Sequence, residues 1–216
     1  MPSTTIPALV RYSGYDPGRK RGVRHAGQGN ETVDTLPVVI AARFHAWHTA
    51  ALRCVDDVTD AQARWRPERG PQSLMWQLWH IARWDDRFAQ IISEQASSRA
   101  QDLSRDQVWT RGNVRDRWGW TGIELGRRDA GTDLTDQQAA ALPFPTLELV
   151  REYATQAFGY VESAVAALAP DAMLEPASAD VESWAANALQ YLEHLPEHVA
   201  AMNALRAWQE LPARDS

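Results

Sequence analysis

The chain has 216 residues, 44% of them hydrophobic and 23% charged, which excludes wholesale disorder and suits one compact domain. Its formal net charge of -6 excludes a dedicated nucleic-acid binder, which would carry a concentrated basic face, and leaves small molecules or proteins as partners. No run approaches the roughly 18 consecutive apolar residues of a membrane span, and the N-terminus lacks a signal peptide's basic start and apolar core, so a cytoplasmic protein is expected.

Residues 1 to 32 mix Pro, Gly and Ser with a basic cluster, Arg19, Lys20, Arg21 and Arg24, and show neither helical nor strand periodicity. They read as an irregular tail or loose wrap, with the folded domain expected over residues 33 to 210. From Leu36 the apolar residues Ile40, Phe44, Trp47, Ala51, Val55 and Val58 recur three or four apart, and Pro37 falls in the first turn, where a helix tolerates it. The single cysteine, Cys54, sits on this first long helix as a small core residue and has no partner for an internal disulfide. A polar stretch then ends in Pro67, Gly70 and Pro71, which break any helix.

Ser73 is a suitable N-cap for a second long helix reaching Ser93, with Leu74, Leu78, Ile81, Phe88 and Ile92 on one stripe. Trp76, Trp79 and Trp84 widen its apolar arc beyond one face, so neighbours must cover it on more than one side. Residues 95 to 145 are less regular, and short helices are expected near residues 103 to 108 and 136 to 142. A third long helix follows Pro145 and runs toward Pro170, carrying Leu149, Tyr153, Ala157, Tyr160 and Ala164. A fourth starts between residues 180 and 183 and continues to Trp208. Four amphipathic segments without a convincing strand predict an all-α four-helix bundle with long crossover connections.

On the fourth helix, Asn187, Tyr191, His194, His198, Met202 and Leu205 step along one face. Residues four apart differ by about 40° around the axis and about 6 Å along it, so the two imidazoles can reach one ion. Taken alone the spacing is a weak signal, since any helix with two histidines can show it by chance. His80 lies in the apolar run Trp76-Gln77-Leu78-Trp79-His80-Ile81-Ala82, where a histidine needs a metal or a hydrogen-bonding partner. One ligand from the second helix and two from the fourth would make a three-nitrogen site with an open position, the arrangement of catalytic zinc. A core histidine satisfied by a backbone carbonyl is the other reading of His80. His80 lies off the centre of its helix's apolar stripe, which would put the ion to one side of the bundle, beside Trp76 and Trp84.

His48, next to Trp47, could be a fourth ligand or a group behind the ligands, whereas His45 is expected on the surface. Asp85 and Asp86 after His80, and Glu193 and Glu197 beside the later pair, are carboxylates that ligating histidines could hydrogen-bond. Asp85, then Glu197, is the first choice for a supporting acid or base. Tyr191 on the histidine stripe and Trp76 and Trp84 are expected at the pocket, with Trp118 or Trp120 as further wall residues. No Gly-rich phosphate loop, nucleophile elbow or paired cysteine motif is present.

Three stretches resemble the DinB/YfiT-like superfamily of metal-dependent enzymes. They are Trp65-Arg66-Pro67 with Ser73-Leu74-Met75-Trp76-Gln77-Leu78-Trp79-His80-Ile81-Ala82-Arg83-Trp84-Asp85-Asp86; Gly131-Thr132-Asp133-Leu134-Thr135-Asp136-Gln137-Gln138; and His194-Leu195-Pro196-Glu197-His198 running to Asn203-Ala204-Leu205-Arg206. The resemblance spans about residues 36 to 208 and fills all three positions of the family's metal triad with His80, His194 and His198. It implies a bound zinc or nickel ion, a homodimer, and in several branches transfer of a low-molecular-weight thiol, such as bacillithiol or mycothiol, to an electrophile, or isomerisation of maleylpyruvate. A hydrolytic version would use a water in the thiol's place. Two departures bear on how the ligands are aimed. Pro196 between the helical histidines removes a backbone hydrogen bond and should bend the helix, and Ala200 and Ala201 replace a frequent Gly-Gln. The contrasting expectation is a non-catalytic bundle whose metal is structural or vestigial and whose role is dimerisation or small-ligand binding.

Overall fold

A computed structural model describes residues 35–95, 104–178 and 181–212, so the expectations for residues 1 to 32 and for the start of the helix near 103 to 108 lie outside the described residues. In chain order the elements are α1 (Leu36–Arg53), α2 (Asp60–Arg64), α3 (Leu74–Gln95), α4 (Val108–Arg111), α5 (Val114–Arg117), α6 (Asp136–Ala140), α7 (Leu147–Ala166), a 3-10 turn (Ala172–Leu174), β1 (Pro176–Ser178), β2 (Val181–Ser183) and α8 (Trp184–Trp208). The long helices α1, α3, α7 and α8 form the bundle, with both α1 and α3 packed on α7 and α8. The all-α expectation holds, with one addition: β1 and β2 pair as a short antiparallel hairpin, Pro176 opposite Ser183. Three-residue strands carry too few alternations for a period of two to be read from the sequence. No helix among the described residues is long and apolar enough to cross a membrane.

The central helix is α3. Leu74, Met75, Leu78, Trp79, Ile81, Ala82, Phe88 and Ile92 are all fully buried, which places apolar residues on several of its sides, as its tryptophans require. Each such Leu, Ile or Phe contributes roughly 1.5–3 kcal/mol by leaving water. Ser73 caps the helix by accepting the Trp76 N–H at 3.2 Å. The helix α8 is capped by Ser183, which accepts the Ala186 N–H at 3.3 Å, and it continues unbroken through Pro196. Cys54 is buried as expected, and burial first, then the Asp56 charge against the Arg206 charge, pushes its thiol up to about 11.

Two distant contacts organise the connections. Asp60 on α2 accepts the Leu147 N–H at 2.9 Å, and Arg64 donates to the carbonyls of Phe144 and Pro145 at 2.7 and 2.5 Å, so α2 anchors the entry to α7. The fully buried Asp86 accepts the N–H groups of Val108 and Trp109 at 2.7 and 2.9 Å, together with the Tyr153 hydroxyl at 3.0 Å and Arg83 at 3.2 Å. Asp86 therefore ties the crossover to the bundle and is not a histidine partner. The crossover supplies Trp109, Trp118 and Trp120, which pack edge-on among Trp79, Phe144 and Tyr153. Trp118 and Trp120 are thus core, not pocket wall. Their edge-to-face contacts, and the Trp120 indole bond to the Pro143 carbonyl at 2.9 Å, are satisfied inside the protein.

Candidate metal centre

His80 on α3 and His194 and His198 on α8 converge, with one ring nitrogen of each within 4.8 Å of the others. His194 Nε2 lies 3.3 Å from His80 Nε2 and 2.8 Å from His198 Nε2. The four-residue spacing on α8 brings its two imidazoles together, and Pro196 does not spoil their aim.

Surrounding acceptors fix which nitrogens carry protons. His80 Nδ1–H donates to the Ala130 carbonyl at 2.5 Å, which leaves Nε2 with a bare lone pair. Gln77 does the same for His198. Its amide nitrogen donates to the Gln72 carbonyl at 3.2 Å, so its Oε1 faces the ring and accepts from Nδ1–H at 2.5 Å. The backbone-carbonyl reading of His80 thus holds at Nδ1, while Nε2 keeps a lone pair that faces His194. Two lone pairs face His194 Nε2, and one proton there cannot satisfy both. A shared cation can. Nitrogens about 2.0–2.1 Å from a tetrahedral ion stand about 3.3 Å apart. The His80–His194 separation already matches, and the His194–His198 pair would open by about half an ångström.

The charge states suit ligation. Burial first, then repulsion from His194, lowers His80 to about 3 despite its bond to Ala130. Burial and repulsion from His80 and His194 lower His198 to about 2. His194 is lowered as well, mainly by burial, against the pull of Asp85 and Glu197. All three imidazoles are neutral at pH 7, the form that binds metals.

His80 and His194 line a cavity of about 600 Å³, together with Trp76, Trp84, Tyr191 and Arg128. Trp76 stacks on His80 at 4.4 Å, and Trp84 stands edge-on to Tyr191 at 6.1 Å. The cavity thus lies to the side of the bundle where Trp76 and Trp84 stand.

The remaining sequence-selected residues lie elsewhere. His48 is buried against Phe158, stacked at 4.0 Å, and its two nitrogens donate to Asp85 at 3.0 Å and Glu162 at 2.6 Å. It belongs to this network and has no nitrogen left for a metal. Asp85, the nominated acid or base, is turned to His48 and is absent from the cavity wall, although its charge reaches His194. Glu197 and Glu193 are exposed, and Glu197 acts on His194 only through its charge. His45 is exposed, as expected, and meets Glu162 at 3.1 Å.

Sequence reading missed Gln77, Ala130, Glu162 and Arg128. Gln77 was legible in principle, since it lies three residues before His80 in the same apolar run. The others reach the site through tertiary contact. Ala130 is delivered by a tight loop in which the Gly131 N–H donates to the Leu125 carbonyl at 2.7 Å and the Arg127 N–H to the Thr132 carbonyl at 2.7 Å. Gly131 holds φ +84, and a Cβ there would stand 2.9 Å from the rings of both Trp76 and Trp79. Only glycine fits.

A four-helix bundle that brings three imidazoles together beside a cavity, two of them on its wall, defines a class of helical proteins that could hold a metal ion. The chain belongs to the DinB superfamily, whose family model matches residues 43–204. Among solved structures it is similar to a conserved protein from Enterococcus faecalis, with a TM-score of 0.65 and 15% identity over 81% of this chain and 96% of that one, a likeness of fold alone. No protein of curated function matches the chain.

Proposed function

We propose that the protein is a metal-dependent enzyme that binds one divalent ion, zinc or nickel, through His80, His194 and His198, and that transfers a low-molecular-weight thiol to a small electrophile or hydrolyses it. The observation that carries this reading is the convergence of three neutral ring nitrogens, two of them with fixed tautomers, beside an aromatic cavity. A bound ion would supply a lowered pKa for a coordinated thiol or water and would orient it.

The chain's own residues supply the rest. The Ala130 carbonyl and Gln77 hold two ligands in register. The Trp76 ring covers one face of His80, which excludes water and limits ring rotation. Trp84 and Tyr191 form walls against which an apolar substrate body can pack. Asp85, held by His48, and Glu197 on the surface act on His194 through their negative charge. Homodimer formation and a cytoplasmic location belong to the same proposal, and sedimentation of the purified protein reads the first directly.

A second reading, a non-catalytic bundle that uses the metal for structure and the cavity for ligand binding or dimerisation, draws on one observation. The cavity's carboxylates are engaged: Asp133 pairs with Arg127 at 3.1 Å and Asp136 accepts from Gln72 at 3.1 Å, so neither stands free as a base. Protein purified without a nickel column should contain close to one ion per chain under either reading, and His80→Ala should remove it. Metal-dependent consumption of a thiol with an electrophile such as monochlorobimane separates them. No turnover with several thiols, and no hydrolysis of the electrophile without one, in the presence of added zinc or nickel leaves the binding reading.

A further inference from the structure

One cation, Arg128, stands on the cavity wall, and a second, Arg87, lies near enough to feel its charge. Arg128 lies in the loop after α5 with φ 62, a left-handed conformation that a large side chain seldom adopts, and its guanidinium sits 5.5 Å over the Trp84 ring on the cavity wall. Arg87 stands seven residues beyond His80 on α3, about 10 Å along the axis and close to the same face, with Trp84 between them. Its Nε is buried and has no hydrogen-bond partner. Among the described residues neither guanidinium forms an ion pair.

The neighbouring acids are spent elsewhere. Asp86 is held by Arg83, the Asp129 carboxylate by Arg115 at 3.2 Å, and Asp133 by Arg127. Burial first, then repulsion from Arg83 and Arg128, disfavours the charged form of Arg87 against the weaker pull of Tyr191 and Asp129, while Arg128 and Arg87 both lower the Tyr191 hydroxyl against burial and the charge of Asp85. In a chain of net charge -6, an arginine on the cavity wall without an ion pair, with a second unpaired arginine acting on the same tyrosine, marks a place for an anion.

We propose that this end of the cavity binds an oxyanion of the ligand, a carboxylate or a phosphate, held by Arg128 and Arg87 beside Tyr191, with the ligand body stacked on Trp84. The ligand class that follows is a small amphiphilic anion whose charged group lies about 6 to 10 Å from the histidine cluster, the rise of four to seven helical residues. The inference rests on the proposed enzymatic reading only in placing the reacting end at His80 and His194; anion recognition stands without it.

The test uses three probes on the full-length protein: 3-phenylpropionate, phenyl phosphate and the neutral 3-phenylpropan-1-ol, titrated by calorimetry. The wild-type protein should bind at least one anion tenfold or more tightly than the alcohol, and which anion wins separates carboxylate from phosphate. Arg128→Asn, a residue that accepts the left-handed backbone, and Arg87→Gln should each remove tenfold or more of the anion's affinity and leave the alcohol's unchanged. Binding of the anion should survive His80→Ala. Anion binding in His80→Ala, together with no thiol turnover in the wild type, keeps this inference and ends the proposed reaction; turnover with no preference for anions does the reverse. No saturable anion binding by the wild type, or binding that both arginine variants leave unchanged, overturns the inference.

Discussion

His48 Nε2 lies 3.0 Å from Asp85 Oδ2 with both side chains only 2% exposed, while His48 Nδ1 reaches Glu162 at 2.6 Å. An imidazole with a carboxylate oxygen on each nitrogen carries both protons. Burial alone would strip its charge, but the bonds to Asp85 and Glu162 outweigh burial and raise its pKa. Asp85 is itself pushed up by burial against the pull of His48. The geometry favours the ionised pair, because every polar atom of the ring faces a carboxylate. The network runs from the half-buried Glu162 to a charge that His194 feels.

Removing Asp85 leaves the buried His48 with Glu162 as its one carboxylate partner and its Nε2 unsatisfied. Asp85→Ala should therefore cost about 1–3 kcal/mol in urea unfolding at pH 7. The double change His48→Met with Asp85→Leu should recover most of it, because apolar groups of similar volume replace both charges. A loss below about 1 kcal/mol for Asp85→Ala means that the pair is not ionised.

Two groups of histidines make the metal-free protein respond to pH in opposite senses. His80 and His198 are lowered in the fold, so the unfolded chain binds more protons as pH falls below about 6.5. Their contribution is complete above that pH and is lost as pH falls toward about 3 and about 2. His48 is raised, so its contribution is complete below about 6.5 and fades as pH rises through its higher folded value. Proton NMR of the imidazoles separates them. His48 should titrate above 6.5, while His80 and His198 should stay neutral down to pH 4. Either of the latter titrating near 6.5 contradicts the assignment. In loaded protein, acid should release the ion for the same reason.

Gln77 orients His198 and is itself oriented by the Gln72 carbonyl. Gln77→Leu should weaken metal binding by about 10- to 100-fold in a chelator competition, the usual effect of deleting a group that fixes a ligand's tautomer. Gln77→Glu, which keeps an acceptor on Nδ1, should retain most of the affinity. Equal affinity for Gln77→Leu and wild type would show that α8 aims His198 without help.

The bundle was legible because α1, α3, α7 and α8 each repeat apolar residues at helical spacing, and His194 and His198 sit on one such stripe. Local rules sufficed there. What escaped depends on residues far apart in the chain: the bond from His48 to Glu162, the carboxylate of Asp86 holding the start of α4, and the left-handed run at Arg128 and Asp129 that carries Ala130 to His80. Trp118 and Trp120 were misplaced for the same reason. A tryptophan in a glycine-punctuated stretch gives no sign whether it meets solvent, ligand or, as here, four other aromatic rings.

Gly131 tests how tightly that loop is coupled to the histidines. With φ +84 and a Cβ position 2.9 Å from both Trp76 and Trp79, Gly131→Ala meets backbone strain and a steric clash at once. The rings cannot yield easily: Trp79 is fully buried, and Trp76 is stacked on His80. The loop must move instead, and the adjacent Ala130 carbonyl moves with it. Gly131→Ala should thus cost about 2–4 kcal/mol and also loosen the metal, because His80 loses the acceptor that sets its tautomer. Gly119→Ala is the control, with a comparable φ of +71 and nothing near its Cβ, so it carries the strain without the clash. If the two variants lose equal stability and both keep the ion, the loop's contact with Trp76 and Trp79 has no part in holding His80.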